Sequence, residues 1–223
     1  MPLPAAALFD FTGTLFHIEP AGSAIAAVLG EQFVPLADEV VRRGGYNGVG
    51  VAHDLPADLA DAWHERDLSR DAHRRAYSGL AERAGLTAAQ AAALYDYSIS
   101  PQAWSPFADT VSTLRDLAAA GVPTALVSNI GWDPRPVLDR YGVLDAFDSL
   151  VLSDERGLLK PDPAIFDLAC AELFVQPDAC VMVGDNAAND GAAVQLGMRF
   201  ELVPADPSDR TGSELRAAVG LAA

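Results

Sequence analysis

Four short apolar runs, widely separated and each ending in small polar or acidic residues, restrict what this chain can fold into. Residues 5–9 run into Asp10, 124–127 into Ser128-Asn129, 150–152 into Ser153-Asp154, and 180–183 into Gly184-Asp185. A fifth run covers 200–203. Runs of this length between turn signals read as buried strands. Helical patterns alternate with them at 110–120, 134–141, 163–173, 189–196 and 213–219, and Gly121 and Gly142 stand where helices stop. Strands alternating with helices imply right-handed crossovers and a parallel sheet covered on both faces. The expected fold is therefore α/β, a doubly wound parallel sheet of Rossmann type. Ligands in such sheets bind at the carboxyl ends of the strands. Asp10, Ser128, Asn129 and Asp185 should converge there, although they lie far apart in sequence.

Between the first strand and residue 106 the pattern changes. Strand signals fade, and Ala-rich helical patterns occupy 23–33, 59–68, 71–84 and 88–97. This predicts an α/β core formed by residues 1–16 and 106–223, with an α-helical cap, residues 17–105, inserted after the first strand. A cap hinged close to Asp10 is placed to close over the strand ends and choose the substrate. Within it, Arg42-Arg43 and the glycine-rich stretch 44–50 form a candidate substrate-specificity loop; an exposed basic pair beside a flexible turn accounts for them equally well.

Singly, Asp10 and Asp185 suit turns and helix caps. As an ordered set the residues say more. Phe9-Asp10-Phe11-Thr12-Gly13-Thr14-Leu15, Val127-Ser128-Asn129, Lys160-Pro161-Asp162-Pro163 and Val183-Gly184-Asp185 with Asp190 resemble the four motifs of the haloacid dehalogenase-like hydrolases. The resemblance implies a phosphatase in which Asp10 attacks phosphorus and carries an aspartyl-phosphate, splitting one displacement into two. It implies Mg2+ held by Asp10, the backbone carbonyl of Thr12 and Asp185, with Asp190 behind them, because a carboxylate and a phosphate repel unless a hard cation bridges them. Ser128 and Lys160, with backbone amides near Phe11 and Asn129, would stabilise the transferring group, and Thr14 and Asn129 would line the phosphate site.

One position departs from the pattern. Thr12 stands where such phosphatases usually carry a second Asp as general acid and base, and a hydroxyl cannot deliver a proton near neutral pH as a carboxylic acid does. Slow turnover is the expected consequence. The string from Asp10 to Thr14 is also similar to the Asp-Lys-Thr-Gly-Thr of P-type ATPases, where the aspartyl-phosphate is longer-lived. The 2-haloacid dehalogenases of the same superfamily need no metal, typically place a bulky residue at the Thr12 position and lack the Gly-Asp pair in their last motif, so Gly184-Asp185 favours the phosphatase over that alternative. A third reading is a catalytically damped module that binds a phosphorylated ligand. His17 offers a substitute proton donor or an ordinary hinge residue, and Trp132 a core or lid-facing aromatic.

Composition supports the choice of ligand. The 223 residues carry 31 acidic against 15 basic side chains, a net charge of −16, which disfavours nucleic acid as a partner. Lys160 is the only lysine in the chain. No apolar run approaches the ~18 residues of a membrane span, and the N-terminal residues lack the basic region of a signal peptide. A cytoplasmic monomer or homodimer acting on a small phosphorylated metabolite is expected, with Cys170 and Cys180 as free thiols.

Overall fold

The computed structural model describes residues 2–47 and 52–222. Seven strands lie along it: β1 (Ala6–Phe9), β2 (Phe16–Ile18), β3 (Trp104–Pro106), β4 (Thr124–Ser128), β5 (Ser149–Leu152), β6 (Cys180–Gly184) and β7 (Arg199–Leu202). Five form one sheet in the order β5-β4-β1-β6-β7, and β2 pairs with β3 in a second. Every pairing in the large sheet is parallel, with Phe9 level with both Leu126 of β4 and Val183 of β6. The expected α/β parallel sheet is thus present, and its strands read as continuous apolar runs because helices cover them. All four residues of β1 and all five of β4 and β6 are buried. Leu8, Val127, Val151 and Met182 share a core cluster with Ile165 and Phe166 of the helix Ala164–Glu172.

The chain divides into two compact units, one of residues 1–17, 106–129 and 138–223, the other of 18–105 and 130–137. The second is helical: Ala21–Leu29, Ala37–Arg43, Ala60–Glu65, Arg70–Arg83 and Ala88–Ser98. Thr87 and Gln90 cap the last of these reciprocally, each side chain satisfying a free backbone N–H of the first turn. Sequence periodicity alone extends the first helix over 23–33. It stops at Leu29 because Gly30 takes a φ of 100° and its N–H closes onto the carbonyls of Ile25 and Ala26, after which a 3-10 turn, Glu31–Leu36, contains Pro35. The 189–196 helix is likewise a 3-10 segment, Asp190–Leu196. Residues 130–137 join the helical unit because Gly131 packs where a side chain would strike Arg66 O and the His73 ring.

Candidate active site

The first unit brings the motif residues together. Phe9 ends β1, and Asp10 follows with its N–H bonded to Val183 O, 3.1 Å away on β6, so the carboxylate leaves the sheet at the strand ends. Beyond it the chain turns sharply. The amides of Leu15 and Phe16 both bond back to Phe11 O, and the rings of Phe11 and Phe16 stack with centroids 4.9 Å apart in the core. That packing fixes Thr12, Gly13 and Thr14 in a tight turn directly after Asp10.

Lys160 reaches the same point from beyond β5. Its Nζ donates to Asp10 Oδ1 at 2.7 Å and to Asp190 Oδ1 at 2.6 Å, and the side chain is 3% exposed. Burial disfavours the ammonium, but the carboxylates of Asp10 and Asp190 outweigh it and hold the lysine pKa above its usual value. The other oxygen of Asp190 accepts the N–H of Asn186 at 3.0 Å. Asp190 is fully buried, so both its oxygens are committed to holding partners in place.

Asp185 stands at the end of β6. Its Oδ1 accepts from the Thr14 hydroxyl at 3.4 Å. Burial, then the carboxylates of Asp10 and Asp190, push its pKa up to about 7. Oxygens from Asp10, Asp185 and Asp190 lie within 4.8 Å of one another. An all-carboxylate donor set with one ammonium beside it leaves excess negative charge, and hard oxygen ligands at this spacing fit a divalent cation such as Mg2+.

Ser128 ends β4, buried, and Thr12 is partly exposed in a bridge to Phe16. The amide of Asn129 is used within the protein: its Oδ1 accepts from Lys160 N and its Nδ2 donates to Lys160 O, both at 2.8 Å. Asn129 therefore clamps the backbone of Lys160. Arg42 and Arg43 lie in the second unit, in the last turn of the helix Ala37–Arg43 rather than in a loop; both bond Glu39, and Arg42 also bonds Asp54. Residues 48–50 of the glycine-rich stretch lie outside the described residues. His17 packs edge-on against Phe107, and Trp132 stacks on Trp104 within the second unit.

Three contributors carry little signal in the sequence. Gly184 has no room for a side chain, since a Cβ would sit 2.2 Å from Asp190 Oδ2. Its place in a Gly-Asp pair is the one available hint. Asn186 acts through its backbone, and Arg210, far down the chain, donates to Gly13 O and Thr14 O.

Comparison with known proteins shows the family of the chain. A family model for haloacid dehalogenase-like hydrolases matches residues 4–197. A phosphoglycolate phosphatase of Rhodospirillum rubrum is 30% identical over 203 residues, 88% of this chain and 78% of that protein. The (S)-2-haloacid dehalogenase 4A of Burkholderia cepacia is 28% identical over 193 residues, 86% of this chain and 79% of that one. The crystal structure of a HAD phosphatase from Thermococcus onnurineus aligns with a TM-score of 0.53 at 26% identity, covering 89% of this chain and 85% of that one. Against several other curated relatives the chain spans about half of their length. No helix among the described residues is long and apolar enough to cross a membrane.

Proposed function

This chain belongs to the haloacid dehalogenase-like hydrolases, and we propose that it is a Mg2+-dependent phosphatase of a small phosphorylated metabolite, working through an aspartyl-phosphate on Asp10. The observation that carries this reading is the meeting of the Asp10, Asp185 and Asp190 carboxylates around the single lysine of the chain.

Bound Mg2+ would screen the carboxylates from the phosphate and help align the phosphoryl group. Asp10, Asp185 and the carbonyl of Thr12 would hold it. Asp190 would act mainly by orienting Lys160, whose ammonium it shares with Asp10. A free oxygen of Asp10 attacks phosphorus, an O–P bond forms, and the bond to the leaving alcohol breaks with its electron pair on the alcohol oxygen. Lys160, the Ser128 hydroxyl and the backbone amides of Phe11 and Asn129 oppose the charge on the phosphoryl oxygens. Water then cleaves the acyl-phosphate, releasing phosphate and restoring Asp10. Thr12 offers the leaving oxygen a hydrogen bond but no acidic proton, so alcohols of high pKa should leave slowly.

The dehalogenase relative supports a second reading, in which Asp10 displaces halide from a 2-haloacid. One comparison separates the two: phosphate release from p-nitrophenyl phosphate with and without Mg2+, against halide release from 2-chloropropionate, in wild type and Asp10→Asn. Metal-dependent phosphate release lost in Asp10→Asn supports the phosphatase. Metal-independent halide release supports the dehalogenase. Failure of acetyl phosphate to add a phosphoryl mass, with no turnover of either substrate, sinks both.

A further inference from the structure

Arg210 is far from every motif in sequence, yet its guanidinium is spent on the turn that follows Asp10. Nη2 donates to Gly13 O at 2.9 Å and to Thr14 O at 3.0 Å, while Nε donates to Pro204 O at 2.5 Å. Its Cζ lies 4.0 Å from the centroid of the Phe107 ring, a cation–π distance. Phe107 in turn bonds Leu15 O through its backbone N–H and meets the His17 ring edge-on. The guanidinium thus grips the chain on both sides of the insertion, at Gly13-Thr14 on the way out and at Phe107 on the way back.

The opposite side of the turn faces Asp185. The Thr14 hydroxyl donates to Asp185 Oδ1, and a Cβ on Gly13, whose φ is +74°, would come within 2.7 Å of Asp185 Oδ2 and 3.3 Å of the Ala205 side chain. Asp185 and Ala205 both close on the Cβ side of Gly13, while the Arg210 guanidinium holds the Gly13 and Thr14 carbonyls. Arg210 Nη1 and Asp109 Oδ1 remain buried without a hydrogen-bond partner.

We propose that Arg210 is a positioning residue that holds the Gly13-Thr14 turn against Asp185 and so sets the geometry of the carboxylates for a divalent cation. The inference rests on the metal-binding reading above. Outer partners of metal ligands typically govern affinity by ~10- to 100-fold.

The test is direct Mg2+ binding by calorimetry, without substrate, to the full chain as wild type, Arg210→Ala and Arg210→Lys, alongside amide hydrogen exchange of the metal-free proteins. Arg210→Ala should bind Mg2+ at least ~10-fold more weakly. The amides of Gly13 and Leu15, bonded to Phe16 O and Phe11 O, should exchange faster in that variant. Arg210→Lys should fall between, since an ammonium can reach the turn carbonyls but cannot also serve Pro204 O and lie flat on Phe107. Equal Mg2+ affinity in folded Arg210→Ala, whatever its melting temperature, overturns the inference. If that variant does not fold, Arg210→Lys decides by the same criterion. Wild type that binds no Mg2+ overturns the metal reading instead, and unchanged exchange at Gly13 and Leu15 then overturns the positioning role independently.

Discussion

Lys160 Nζ lies 2.7 Å from Asp10 Oδ1 across 150 positions of sequence, and the ammonium is shared with Asp190. The pairing does two things: it keeps the lysine charged in a buried place, and it engages one oxygen of Asp10, leaving the other for the attack proposed above. Lys160→Met should leave two buried carboxylates uncompensated. Removing one partner of a buried pair costs about 3 kcal/mol or more, so the metal-free variant should melt earlier, read by calorimetry, with Mg2+ restoring part of the loss. Phosphate release should fall by at least ~10²-fold even at saturating Mg2+.

Thr12→Asp would supply the general acid and base that the phosphatase reading lacks. It should speed hydrolysis of alkyl phosphates by ~10²-fold or more, and p-nitrophenyl phosphate, whose leaving group needs no proton, by less. Parallel rates for the two substrates in both proteins would mean that another group already protonates the leaving oxygen.

Asp185 makes the site pH-dependent. Its folded pKa is pushed up to about 7 from an ordinary 3.8. Between those values the native metal-free protein keeps a proton that the unfolded chain has lost, so this group's contribution to stability is full below about pH 4 and is lost as pH rises through about 7. Metal binding must expel that proton. Mg2+ affinity should therefore weaken by roughly tenfold per unit as pH falls below about 7, with uptake of Mg2+ releasing a proton that calorimetry in buffers of different ionisation enthalpy would count.

Gly184→Ala tests the fit behind the motif. Its Cβ would fall 2.2 Å from Asp190 Oδ2, displacing the carboxylate from Asn186 N and Lys160. A loss of about 1–3 kcal/mol in stability and a fall of ~10-fold or more in activity are expected. Gly191→Ala is the control, because its Cβ would meet only the Phe200 ring at 3.5 Å, an ordinary contact, and both quantities should stay near wild type.

Much of this molecule is legible without coordinates. Alternating apolar runs and helical periods determine a parallel sheet, and a parallel sheet puts the carboxyl ends of β1, β4 and β6 at one end of it, so Asp10, Ser128 and Asp185 follow neighbouring strand ends. The helical character of the insertion follows from the same local rules. What those rules do not carry is any contact whose partner is chosen by packing. Which carboxylates share Lys160, that the Asn129 amide is spent on the Lys160 backbone, that Gly184 must lack a side chain and that Arg210 grips the turn after Asp10 all depend on distances between segments remote in sequence. Periodicity reports which face of an element is buried, not which neighbour is buried against it. Hence sequence determined the strand ends that carry the candidate residues, and only tertiary packing decided which of their atoms are committed to partners and which are left for a ligand.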